Sequence, residues 1–351
     1  MKNRLLAFLG VVVLIAVVVF AGEQIRRGRS TAQQPQSETA SEAQTALPAA
    51  ATTLEASSAS ESEMTGSEPE TTASEPGTTE AAQTTGAPST ASASRSPYTD
   101  RFPLEKIHYT VSDPDNTRGL STKRIDHSFG VPKNEQPNAI SVNGQESLRK
   151  MGSKAIIYDA DTEEKVLYLT FDCGFENGNT AHILDVLKEK QVPAAFFCTL
   201  YHIRQQPQLI ARMIEEGHIV GNHSDTHPDF SSISRTKMAR ELEAVENELR
   251  TNFGYSSAYF RFPEGAYSEN ALDLVESLGY TPVFWSSAYA DWDTSNPKGA
   301  EYAYNTVTSR LHPGAVILLH AVSPDNAAAM ADIIDTAREM GYTFRSLDEM
   351  R

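Results

Sequence analysis

Val166-Leu-Tyr-Leu-Thr-Phe-Asp-Cys-Gly-Phe-Glu-Asn-Gly178 is the stretch from which the fold of this chain can be read. Val166 to Phe171 is apolar, β-branched and aromatic, the composition of a short strand buried on both faces. The run breaks at Asp172, Cys173 and Gly174, which leaves a carboxylate and a thiol at its carboxyl end. In parallel α/β sheets and barrels that end is where sites are built. Two further stretches offer partners: His223-Ser-Asp-Thr-His227 and the strand-like Val316-Ile-Leu-Leu-His320. A carboxylate, a close histidine pair and a distant histidine form the donor set of a metal-assisted hydrolase.

Outward from this strand, helical and strand patterns alternate. Thr180 caps an expected helix to Lys190, with Ile183, Leu184 and Leu187 on one face. Strands follow at 194–198, 218–221, 259–262, 281–285, 315–320 and 343–346. Helices are expected at 209–216, 235–253, 269–278, 302–311 and 326–340, the second of them starting after the N-cap Ser234. Strand-then-helix order implies a parallel sheet, most economically closed as a barrel. Residues 98–160 read as an irregular N-terminal extension and 161–351 as the domain proper.

The first 97 residues have a different character. Lys2 and Arg4 precede an uncharged apolar run, Leu5 to Ala21, so residues 1–24 read as a membrane anchor or a signal peptide. Length supports the anchor, Val19-Phe20-Ala21 as a cleavage site supports the signal peptide, and basic residues on both flanks leave orientation undecided. Either way the following chain is exported. Residues 25–97 form a Ser/Thr/Ala/Glu/Pro-rich linker; its portion from Thr31 to Pro97 has nine Glu and one Arg. It has too little apolar surface to offset its ordering entropy and is expected to be disordered. A net charge of -16 argues against nucleic acid as a partner. Two cysteines cannot make a disulfide framework and are too few for a structural zinc site.

The histidines at i and i+4 would share one side of a helical turn, a workable metal bite. A strand-terminal Asp172 either caps the next loop or serves the site; Cys173, Glu176 and Asn177 beside it favour the site. His182, His202, His218 and His312 read as structural. Trp285 reads as core, and Trp292 gains interest from its neighbour Asp291.

Five ordered stretches carry a resemblance: Thr170-Phe-Asp-Cys-Gly174, His223-Ser-Asp-Thr-His227, Arg261-Phe-Pro-Glu-Gly265, Asp291-Trp292 and Leu318-Leu-His320. In order and spacing they resemble the motifs of the NodB-homology polysaccharide deacetylases, carbohydrate esterase family four, over roughly residues 160–351. Within that family the chain looks closest to the delta-lactam-biosynthetic de-N-acetylases of spore-forming bacteria. The resemblance implies a distorted (β/α) barrel that hydrolyses an N-acetyl group on a sugar. It makes Asp172 the general base, His320 the general acid, and His223 and His227 ligands of a divalent metal, zinc first. Arg261 would hold Asp172 ionised and Asp291 would tune His320. Trp292, Gly265 and Glu264 would line the sugar groove.

Two positions depart from the family pattern. Cys173 stands where most members have a metal-binding aspartate. It is either a thiolate third ligand or the mark of a two-histidine site; a disulfide to Cys198 is a third reading. Glu264 stands where the lactam-type enzymes carry a basic residue, which bears on recognition of a lactyl carboxylate. The expected function is removal of acetyl from N-acetylmuramic acid of peptidoglycan, with muramic δ-lactam as an onward product. The alternatives are action on N-acetylglucosamine of peptidoglycan or on chitooligosaccharide, and a catalytically inactive wall-binding module. The expected partners are peptidoglycan glycan strands and, through the N-terminal segment, a membrane.

Overall fold

The strand read at Val166 extends to Cys173 and forms the centre of a curled parallel sheet. The computed structural model describes residues 95–350. The expected anchor or signal peptide, and the linker up to residue 94, lie outside the described residues. Among the described residues no helix is long and apolar enough to cross a membrane.

In chain order the domain contains β1 (Ile125–Asp126), α1 (Ala139–Lys150), β2 (Val166–Cys173), α2 (Thr180–Lys190), β3 (Ala194–Cys198), α3 (Leu200–Gln205) and α4 (Pro207–Glu215). Then come β4 (Ile219–Asn222), α5 (Arg235–Phe253), β5 (Tyr259–Phe260), β6 (Ala266–Tyr267), α6 (Glu269–Ser277) and β7 (Thr281–Pro282). The chain ends with α7 (Ala300–Thr308), β8 (Ala315–His320), α8 (Pro324–Glu339) and β9 (Thr343–Phe344). The main sheet runs β7-β5-β4-β3-β2-β8, with β9 also paired to β2. The segment after β7 closes the ring: Ser286 donates to the Val316 carbonyl (3.0 Å) and Leu318 to the Ser287 carbonyl (2.9 Å). Closure rests on these few bonds and on bridges from residues 156 and 158, so the barrel is distorted, as expected.

Strand alternation separates two environments. Val166, Tyr168, Thr170 and Asp172 face the barrel interior, where Val166 and Tyr168 pack with Phe197, Val283 and Val316. Leu167, Leu169, Phe171 and Cys173 face outward, under Ile183, Leu187, Ile203 and Ile333 of the helix layer. Gly221 on β4 is required by this interior. A Cβ there would lie 2.5 Å from a ring carbon of Phe197.

The extension is less irregular than its composition implies. It contains α1, capped by Asn138, and the side chain of Gln145 in that helix holds the Ala155 carbonyl (3.0 Å) and the Ile157 amide (2.7 Å). These are tertiary anchors with no local sequence signal. At its start, Tyr98 stacks on Phe253 with centroids 5.2 Å apart, and the Thr99 hydroxyl donates to the Phe253 carbonyl at 2.9 Å.

Candidate active site

Asp172 and His320 are register partners on neighbouring parallel strands β2 and β8, so both side chains leave the sheet at one level. Each meets a partner of opposite charge. Arg261, fully buried, donates from Nη1 to Asp172 Oδ1 at 2.8 Å. The guanidinium is held on every side. Nε donates to the Val283 carbonyl (2.9 Å), and Nη2 to Thr170 Oγ1 (2.9 Å) and the Phe284 carbonyl (3.1 Å). The Phe197 ring lies beneath, 4.1 Å from centroid to Cζ. Burial alone would push the Asp172 carboxyl up; the Arg261 charge, with His223 and His320, outweighs it and holds the group below its ordinary value.

His320 has the opposite environment. Its Nδ1–H donates to Asp291 Oδ1 at 2.7 Å, and its backbone N–H to Asp291 Oδ2 at 2.8 Å. Asn326 Nδ2 donates to the same Oδ2 (2.6 Å), which fixes the carboxylate. Burial acts to lower the imidazole, but the Asp291 carboxylate raises it above its ordinary value. A carboxylate can only accept, so the proton sits on Nδ1 and Nε2 faces the site. The two groups are therefore pushed apart, Asp172 down and His320 up, as a base and an acid working at one pH require.

His223 leaves the end of β4 and is buried beside this pair. Its Nδ1–H donates to the Arg261 carbonyl at 2.9 Å, and Nε2 lies 3.6 Å from Asp172 Oδ2. Burial pushes it down to about 4, so it is neutral with its Nε2 lone pair free. The exposed His227 ring stands edge-on, with centroids 4.9 Å apart. The pair does not sit on a helical turn. Ser224 and His227 adopt left-handed backbone (φ 68 and 56), and the loop is held by Asn222 on the Ser224 amide and Glu241 on Thr226. Tertiary hydrogen bonds replace the expected turn. Two adjacent imidazoles, one locked by a carbonyl with its free nitrogen toward a carboxylate, fit a borderline divalent cation such as zinc.

Cys173 is not brought to this pair. The strand pleat turns its side chain to the outer face, among core residues that include Phe171 and Cys198. The disulfide reading is also corrected, since Cys173 and Cys198 are both free thiols. The site therefore has the two-histidine geometry. Gly265 is buried with its carbonyl accepting from His127 N–H (3.0 Å), and a Cβ there would lie 2.7 Å from Trp285, so it shapes the loop beneath the groove. Trp285 is core, as expected.

Trp292 is 53% exposed and stands at an angle to His320, with centroids 5.7 Å apart. Glu264 is exposed and accepts from Arg124 at 3.2 Å. Arg124 also binds Asp126 and Asp229, both at 2.6 Å, and so ties the loop after His227 to the loop after Arg261. Sequence reasoning did not single out Thr170, Asn326, Arg124 or the loop-holding Glu241. Their roles depend on partners 35 or more residues away, apart from Glu241, 15 residues from Thr226. Exposed Phe175 and Tyr201, following β2 and β3, were also missed.

Comparison with known proteins finds relatives of this chain. The profile described as polysaccharide deacetylase matches residues 159–283. The peptidoglycan-N-acetylmuramic acid deacetylase PdaA of Bacillus subtilis is 45% identical over 217 residues, covering 60% of this chain and 82% of that protein. A chitooligosaccharide deacetylase of Sinorhizobium fredii is 34% identical over 197 residues, 52% of this chain and 90% of the relative. The solved structure of B. subtilis PdaA, a family 4 carbohydrate esterase, superposes with a TM-score of 0.63 at 41% identity, covering 66% of this chain and 98% of that one.

Proposed function

The chain belongs to the polysaccharide deacetylase family, and we propose that the bond it hydrolyses is the acetamide of N-acetylmuramic acid in peptidoglycan. The observation that carries the reaction is the opposed pair Asp172 and His320, each held in its working charge state by its own buried counter-charge. Water attacks the acetyl carbonyl as Asp172, ionised beside Arg261, accepts its proton. The C–N bond then breaks as His320 delivers the proton held at Nε2 to the leaving nitrogen, giving acetate and a free sugar amine. Asp291 and Asn326 keep the imidazole aimed through this transfer. His223 and His227 would hold a divalent cation, zinc by our reading, which would supply Lewis acidity to the hydrolysis. Trp292 offers an apolar wall to the sugar ring.

The muramic acid assignment is supported by likeness to PdaA at 45% identity, and lactam closure would follow on the freed amine as a separate step. Placement outside the membrane is proposed from the apolar run Leu5 to Ala21 and the location of such a substrate. The inactive wall-binding alternative has no use for this complete set of base, acid and tuning partners. A glucosamine or chitooligosaccharide substrate is favoured by one observation: Glu264 and Asp229 add carboxylates around Arg124, where a lactyl carboxylate would meet negative charge. Mass spectrometry of muramidase fragments, with and without stem peptides, separates the readings. Acetyl loss from muramic acid supports the assignment, and loss from glucosamine replaces it.

A further inference from the structure

On the face of β2 opposite Asp172, three metal-ligating side chains converge in the dry core. Cys173 and Cys198 are register partners on the parallel strands β2 and β3, so their side chains point the same way. Immediately after β3, Thr199 caps α3 by accepting from the His202 amide, and this cap sets the first turn of the helix over the two thiols. One donor atom from each residue, Sγ, Sγ and a ring nitrogen, lies within 4.8 Å of the other two. All three residues are fully buried.

Packing alone leaves this cluster unexplained. Neither ring nitrogen of His202 has a hydrogen-bond partner, and a buried polar atom left without a partner destabilises the fold. The other buried histidines each have at least one partnered ring nitrogen, although Nε2 of His218 also lacks a partner. His312 meets Ser286 and the Pro313 carbonyl, His127 meets the Trp285 carbonyl, and His218 accepts from the Ala194 amide. A leucine at 202 would fill the space without orphaned atoms.

We propose that Cys173, Cys198 and His202 form a second metal site, for a thiophilic divalent cation with zinc as first choice, distinct from the histidine pair on the other face of the strand. Two sulfurs and one imidazole nitrogen supply three of the four positions of a tetrahedral zinc, with one water retained from the ion's hydration shell as the fourth; donors around such an ion with Zn–S near 2.3 Å lie roughly 3.8 Å apart, inside the 4.8 Å limit of the cluster. Binding releases one proton from each thiol to solvent and strips the other waters from the ion. Burial raises the Cys173 thiol well above its ordinary value, so this thiol keeps its proton until a metal displaces it. With all three residues fully buried, the site would be loaded while β2, β3 and α3 come together. It would fasten the loop after β2, which carries Glu176 and Asn177, to the start of α3.

The test uses the full chain carrying His223→Ala and His227→Ala, which removes the catalytic donors, expressed or refolded with Co(II) and separately with Zn(II). The site predicts one bound metal per chain, and with cobalt a near-ultraviolet thiolate-to-metal charge-transfer band that imidazole ligation cannot give. Cys198→Ser should abolish the band and lower the thermal midpoint; His202→Leu should weaken metal binding at least tenfold while filling the space. No charge-transfer band together with two freely titrating thiols after unfolding would overturn the proposal. So would a Cys173–Cys198 disulfide found by mass spectrometry. Both readouts come from the histidine double variant itself, so they stand even if the cysteine variant does not fold.

Discussion

Replacing Asp291 with asparagine removes the charge beside His320 and keeps the shape. In the wild type the Nδ1–H of His320 donates to Asp291 Oδ1 at 2.7 Å, and this ion pair raises the imidazole despite burial. A hydrogen bond to a charged group contributes about 1.5–3 kcal/mol. At about 1.4 kcal/mol per factor of ten, its loss moves the protonation equilibrium of His320 about 10- to 100-fold toward the neutral form. His320 works as an acid only when protonated, which is below its pKa, so Asp291 extends activity to higher pH and Asp291→Asn withdraws that extension. The alkaline limb of kcat/KM against pH should move to lower pH. At a fixed pH above the limb, kcat/KM should fall about 10- to 100-fold. The acid limb, set by Asp172, should move little. The assay is acetate release from peptidoglycan fragments across pH, with near-ultraviolet circular dichroism to show that the fold is kept. An alkaline limb that stays in place in a folded variant refutes the reasoning, because His320 would then not be the group that Asp291 tunes.

Arg261→Met leaves a buried carboxylate without its counter-charge, which costs about 3–5 kcal/mol in urea unfolding, and the acid limb of the pH profile should rise because Asp172 then protonates more readily. An unchanged acid limb would remove Asp172 from the role of base. Gly221→Ala places a Cβ 2.5 Å from the Phe197 ring under Arg261 and should destabilise by about 1–3 kcal/mol, read as a lower thermal midpoint. Glu264→Arg should raise the rate on muramic acid relative to glucosamine fragments; an unchanged ratio would show that this side chain does not meet the substrate.

Much of the frame was legible because local signals agreed with the fold. The limits of α2, β3, α5 and β8 coincide with those expected from apolar runs and caps such as Ser234. The failures have physical causes. α3 is six residues long, too short to show a period, and its start depends on the Thr199 cap. α1 buries Ser141 and Gln145, polar residues whose partners are tertiary, so it has no clear apolar stripe. In the histidine pair, the two imidazoles do lie side by side, but the expected spacing argument misled, because left-handed backbone at Ser224 and His227 replaces the helical turn. Cys173 shows the limit most clearly. Its place in a motif pointed to the catalytic metal, whereas the pleat of β2 extends through residue 173 and turns its thiol to the other face.

The measurement that tests the central claim most directly is acetate release from purified peptidoglycan by the wild-type chain, Asp172→Asn and His320→Ala, each before and after chelation and zinc return. The account predicts release by the wild type alone, abolished by the chelator and restored by zinc, with both variants folded and at least 100-fold slower. Undiminished release by folded Asp172→Asn, or a wild-type rate indifferent to complete metal removal, would contradict it.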